Sequence, residues 1–213
     1  PLCYTYCPPT FTSSIRPITN VTFAGINNTT NQTGGPALQT FTDTAIVIQG
    51  SSSNTISLQG NTAGNNIDYY RVYIDWDQNG TFGNNTNESY EIGTINNSTG
   101  IDAKILNGTI AVPTTALLGK TKMRVIKRQG SDPTDPCQTG SGRGQAEDYF
   151  VNVIKSVFFN SDEDTVTDNI DIDDDNDGIK DSTEELDCLN ANGPKANYKF
   201  LNETFGTGTE RAE

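Results

Sequence analysis

The sequence predicts an all-β chain, a β-sandwich followed by a short irregular segment, and three observations predict it. From Tyr6 to Ile154, short alternating runs are separated by clusters of Gly, Asn, Pro and Ser, the pattern of a two-sheet sandwich. No stretch sustains the ~3.6-residue period of a helix. After Ile154 the composition changes abruptly, and the apolar patch Val157 to Phe159 gives way to a dense run of acids.

Strands are expected at Ile18 to Phe23, Thr44 to Gln49, Thr55 to Gln59, Tyr69 to Trp76, Tyr90 to Ile95, Ala103 to Val112, Lys122 to Lys127 and Asp148 to Ile154. Within "YYRVYIDW", Tyr70, Val72, Ile74 and Trp76 fall on one face and should be core. Tyr69, Arg71, Tyr73 and Asp75 fall on the other, where Tyr69 and Tyr73 beside Arg71 would offer a ligand face. A hydrophobic content of 33% serves a β-rich core but not a single core filling all 213 residues. The expected organisation is therefore a sandwich over 1–154, an irregular segment over 155–188, and a linker or the start of a further domain over 189–213. Beginning at Pro1 and stopping at Glu213 in a polar, Gly/Thr-rich stretch, the chain is expected to be a mature or excised piece of a longer protein.

Charge narrows the function classes. The formal charge is −13, from 14 basic and 27 acidic residues. Thirteen of those acids and one base, Lys180, lie between Asn160 and Asp187, a local charge of −12 that leaves about −1 elsewhere. Such a chain has no basic footprint for nucleic acid. Nor has it an apolar run of the roughly 20 residues that a membrane helix needs. Histidine is absent, which removes the commonest general base and transition-metal ligand. The cysteines, Cys3, Cys7, Cys137 and Cys188, show no C-x-x-C spacing, so disulfides in an oxidising, extracytoplasmic location are expected. Sequence alone leaves the pairing open; Cys7 with Cys137 is the expected bridge, and the partners of Cys3 and Cys188 stay undetermined.

The acidic run has an internal order. Aligned on Asp173, the residues Asp173, Asp175, Asp177, Gly178, Asp181 and Glu184 satisfy D-x-[DN]-x-[DN]-G-x5-E, with the carbonyl of Ile179 in the remaining ligand place. The spacing suits calcium, which takes about six to eight oxygens at about 2.3–2.6 Å; alternate residues of a tight loop point at one centre and a glycine permits the reversal. Upstream a weaker copy runs through Asn160, Asp162, Asp164, the Val166 carbonyl, Asp168 and Asp171, with Thr165 where the glycine belongs. No amphipathic helix flanks either loop, so this is the ligand scheme of an EF-hand without its helices. A third trace of the scheme lies in the sandwich: Asp75, Asp77, Asn79 and Gly80, with the Thr81 carbonyl. There Glu88 or Glu91 would close the sphere, although the twelfth position is Thr86. A hairpin turn at "QNG" explains the same residues without an ion. Glu147 and Asp148 would either join this site or cap the last strand.

These residues resemble two families. Residues 160–187 resemble the thrombospondin type 3 calcium repeat. Upstream, "VYIDWDQNGTF", "MRVIKR", "DPC" and "GQAEDYFVNV" together resemble the GEVED domain, although Gln145 and Ala146 replace part of the name-giving motif. The resemblance implies a β-sandwich module of large secreted or surface proteins of Bacteroidetes-type bacteria, exported often by a type IX system, with no catalytic activity of its own. The expected function is therefore a calcium-binding adhesion or spacer module, located outside the cell, whose partner is a protein or glycan at the cell surface, alongside further domains of the same chain. The alternative is a carbohydrate-binding accessory to a secreted hydrolase, engaging its glycan through Tyr69 and Tyr73. A glycosidase using Glu88 with Glu147 would require the two carboxyls to face one cleft about 5–9.5 Å apart.

Overall fold

Alternating side chains need a partner layer. In the computed structural model, which describes residues 5–156 except Asn84 and Ser141, two sheets supply it to each other. The strands are β1 (Ser14–Ile15), β2 (Ile18–Phe23), β3 (Ile26–Thr29), β4 (Leu38–Ile48), β5 (Asn54–Gly60), β6 (Ile67–Ile74), β7 (Ser89–Asn96), β8 (Leu106–Ile110), β9 (Gly119–Gln129) and β10 (Arg143–Ile154). The larger sheet runs β1, β10, β9, β6, β7, and β4 continues along the same edge of β10 that β1 begins. The smaller runs β3, β2, β5, β8. Helix is confined, among the described residues, to one 3-10 turn at Thr86–Glu88.

The expected inner face of β6 holds. Tyr70, Val72, Ile74 and Trp76 are buried, and they pack between the sheets with Val21, Phe23, Ile56, Leu58, Val125, Tyr149 and Val151. Strand β2 falls where it was expected, while the others differ at their ends. Expected at Ala103, β8 begins only at Leu106, because Asp102 folds the preceding residues into a turn. Its carboxylate accepts from Ser98 Oγ at 2.9 Å, Thr99 N at 3.0 Å and Lys104 N at 3.2 Å. Strand β3, unexpected, folds onto β2 through Ala24 and Gly25, whose φ values of 42° and 97° make a tight left-handed turn.

The other face of the larger sheet corrects the sequence reading. Tyr73 was expected to face a ligand, yet it is 1% exposed. A second apolar layer of Phe11, Phe82, Ile126 and Ala146, with Tyr6, Ile15, Ala37 and Leu38 against it, covers it. The Tyr73 hydroxyl donates to the Pro133 carbonyl at 2.8 Å. The cover is fastened by the expected Cys7–Cys137 disulfide, which closes 130 residues of chain. Next to it, the buried Arg124 guanidinium meets Asp148 with two bonds of 2.6 and 2.7 Å and donates to the carbonyls of Cys7 and Pro136 at 2.7 and 2.8 Å. Asp148 therefore serves this pair and not the acidic loop.

The inner face carries its own polar end. Lys127 and Asp68 pair at 3.0 Å with both side chains fully buried. The Lys127 ammonium also donates to the Pro17 and Asn61 carbonyls at 2.9 and 2.6 Å. Gln145 accepts from Ile18 N at 2.8 Å, and Glu147 accepts from the Tyr149 hydroxyl at 2.6 Å and from Thr30 at 3.3 Å. Glu147 thus lies among interior groups and takes no part in the 75–88 loop.

Removing Arg124 should expose how much this pair matters. Arg124→Ala leaves Asp148 buried beside two unpaired carbonyls and is expected to cost about 3–5 kcal/mol in urea denaturation. Arg124→Lys should recover only part of that, because an ammonium cannot serve a carboxylate bidentately and two carbonyls at once.

Candidate functional site

The acidic loop sits at the mouth of the β6–β7 hairpin. Antiparallel pairing sets Tyr73 opposite Ser89, so Asp75 just beyond β6 and Glu88 just before β7 are forced to the same place. Asp75, Asp77 and Glu88 bring one carboxylate oxygen each to within 4.8 Å of one another. Oxygens sharing one calcium stand at most about 5.2 Å apart, twice the longest usual bond, so the spread fits a single ion.

The loop's backbone holds these acids in position. Asp75 accepts from Asn79 N at 3.1 Å, Gly80 N at 2.9 Å and the Tyr6 hydroxyl at 2.5 Å. Gly80, with φ of 86°, supplies the reversal. Asp77 accepts from Asn79 N and from the Asn85 amide, both at 3.3 Å. Glu88 stands on the 3-10 turn, and its Oε1 accepts from Trp76 N at 3.0 Å and Asp77 N at 3.3 Å. Its Oε2 is buried with no partner. An unpaired buried carboxylate oxygen is costly, and here it stands among two further carboxylates with no Lys or Arg paired to any of the three among the described residues.

Electrostatics follow from that crowding. Burial pushes the Glu88 carboxyl up to about 7, with Asp77 and Asp75 adding to the rise against the two backbone donors. Burial raises Asp75 as well, opposed by the Tyr6 and backbone hydrogen bonds.

Of the residues expected here, Asp75 and Asp77 stand in the carboxylate cluster with Glu88. The Asn79 side-chain oxygen instead accepts from Thr81 N at 2.8 Å and Thr81 Oγ1 at 2.5 Å, so it reaches an ion only by exchanging those partners. Between the two candidate closing acids the structure separates Glu88 from Glu91, which is exposed and lies 3.7 Å from Arg71. Tyr6 was missed; its only signal is its place beside a bridging cysteine. The loops at Asn160, Asp162, Asp164, Val166, Asp168, Asp171 and at Asp173, Asp175, Asp177, Ile179, Asp181, Glu184 lie outside the described residues, as do Cys3, Cys188 and nearly all of the second and third segments.

The class defined so far is a two-sheet β-sandwich with a carboxylate cluster on one hairpin. Residues 69–152 match the GEVED domain, a span that contains the acidic loop, Arg124, Glu147 and Asp148. Among solved structures the chain is similar to a family 123 glycoside hydrolase from Clostridium perfringens, at 14% identity and TM-score 0.31, covering 61% of this chain and 24% of that one. It is also similar to a CBM33 polysaccharide monooxygenase, at 17% identity and TM-score 0.23, covering 51% and 59%. The alignments thus span about a quarter of the hydrolase and three fifths of the monooxygenase. No curated protein matches the chain.

The raised carboxyls make stability depend on pH in a stated direction. Glu88 and Glu147, each raised from 4.5 to about 7, keep protons in the fold that the unfolded chain releases. Their contribution is present below about 4.5 and is lost as pH rises to about 7. Urea denaturation in chelator should show stability falling across that window, and Glu88→Gln should flatten the fall; an unaltered slope would mean that Glu88 is already ionised in the metal-free fold.

Proposed function

We propose that this chain carries a calcium-binding adhesion or spacer module of a larger secreted or surface protein, without catalysis of its own. The observation that carries the reading is Glu88, whose Oε2 is buried without a hydrogen-bond partner and whose carboxylate is gathered with Asp75 and Asp77 into a cluster of calcium dimensions. Asp75, Asp77 and Glu88 would hold the ion, with the Thr81 carbonyl and Asn79 as further ligands. What the ion supplies is charge neutralisation across the base of a hairpin, which is folding energy for that region. The acidic loops from Asn160 to Glu184 repeat the ligand scheme and would extend the same stiffening beyond the sandwich.

The GEVED match supports placement in a secreted or surface protein, as does a disulfide in the fold. Among the described residues no helix is long and apolar enough to cross a membrane.

Calcium titrated into the chelated full chain should raise the unfolding temperature with an affinity on the order of 10⁻⁴ to 10⁻³ M, as in other extracellular modules. At 100-fold excess over the dissociation constant the gain is about 2.7 kcal/mol. Asp75→Asn with Glu88→Gln should remove the sandwich's share, and Asp175→Asn with Asp177→Asn the remainder. No shift up to several millimolar calcium would overturn the proposal.

A further inference from the structure

We propose that the end of the larger sheet where β9 and β10 meet binds the carboxylate of an acidic saccharide. A pocket of about 360 Å³ lies there, lined by Ser13, Arg128, Gln129, Gly130, Gly142 and Arg143. Two arginines converge on it and no carboxylate lines it.

The other arginines of the described residues are engaged. Arg71 pairs with Asp132, Arg124 with Asp148, and Arg16 donates to Gln129 Oε1 at 3.3 Å. The guanidinium groups of Arg128 and Arg143 have no acceptor among the described residues. Arg16 Nε, buried with no partner behind Gln129, adds positive potential to the same end. A guanidinium presents planar paired donors that match a carboxylate, and two arginines line this one cleft.

The neighbours of the cleft favour a sugar over a peptide. Tyr69 pairs in register with Arg128 on the outer face, so its half-buried ring stands one strand spacing from the guanidinium. That ring offers an apolar surface to the C–H face of a pyranose. Around the pocket, β10 is paired on both edges and β9 lies between β10 and β6. Among the described residues the outer edge there belongs to β1, which is two residues long and gives a peptide little to extend. Gly142 forms part of the floor, where a Cβ would stand in ordinary contact at 3.5 Å from Arg128 Nε and 3.6 Å from Phe11. Of the two tyrosines expected to form a ligand face, Tyr69 remains available and Tyr73 does not.

This assignment rests on the adhesion reading of the module and names its ligand; it does not rest on the calcium. The test is calorimetric titration of the full chain in EDTA, which removes calcium bridging, with oligogalacturonate, its methyl ester, a sulfated glycan and poly-glutamate. Oligogalacturonate should bind, and esterification should abolish binding. Arg128→Gln and Arg143→Gln should each weaken it about tenfold at unchanged unfolding temperature. Tyr69→Ala should weaken it further, and Asp75→Asn should leave it unaltered. Absence of binding, equal binding by the arginine variants, equal affinity for poly-glutamate, or preference for the sulfated glycan would each overturn the assignment, whatever the calcium titration shows.

Discussion

Arg124 occupies the middle of the larger sheet with none of its side chain exposed, and its four hydrogen bonds reach three parts of the chain far apart in sequence. Asp148 on β10 neutralises it. The carbonyls of Cys7 and Pro136 take its remaining donors, beside the disulfide that joins Cys7 to Cys137. A buried ion pair of this kind adds little net stability by itself, because desolvation offsets most of the Coulomb gain. Its effect is to fix position: with the charge buried, the N-terminal segment and the 132–138 loop must lie where their carbonyls satisfy it. The disulfide then limits the unfolded chain across 130 residues.

Coverage by that segment carries through to the acidic loop. Tyr6 packs on Phe82 with ring centroids 4.6 Å apart and planes tilted by 32°, and donates to Asp75, while the Arg124 guanidinium lies 4.8 Å from the centroid of the same Phe82 ring. The buried pair, the aromatic layer and the carboxylate cluster are therefore one contiguous set of contacts. On the inner face the Lys127–Asp68 ion pair and Gln145 form a second polar group at the strand ends, with the Tyr70 hydroxyl buried there without a hydrogen-bond partner. Successive residues of "GQAEDY" point alternately to the two faces, so one short stretch of β10 serves both. Gly144 has no room for a side chain between the Lys127 carbonyl and the Phe11 ring.

The legible parts of the fold were those governed by period. Strand β2 and the inner face of β6 follow from alternation, since period two states which side of a sheet a residue takes. It does not state what lies against that side, and Tyr73 shows the difference: its face was read correctly, but the cover comes from Tyr6 and Phe11, some sixty positions earlier, and from Phe82 in the loop that follows. Strand β3 was illegible for another reason. Its residues, Ile-Asn-Asn-Thr, have the composition of a loop and become a strand only because the Ala24–Gly25 turn lays them on β2. In the loop, Asp75 and Asp77 were visible as a ligand scheme. Glu88 was only one of two candidates, since a count of positions cannot choose between acids that strand register places differently.

That last distinction shapes the chemistry of the site. In a twelve-residue calcium loop the closing acid is delivered by the loop itself; here Glu88 is brought beside Asp75 and Asp77 by the pairing of β6 with β7. Backbone amides of Trp76, Asp77, Asn79 and Gly80, together with Tyr6, favour the charged forms, while burial and mutual repulsion favour neutral ones. A proton on Glu88 relieves that conflict, and so does a divalent cation bound to all three acids. The two are mutually exclusive, since the cation needs the carboxylate that the proton would occupy. Whichever prevails, neutralisation occurs at the mouth of the β6–β7 hairpin beside Trp76, so the charge state of three carboxylates is felt at the end of β6, the strand next to the edge of the larger sheet.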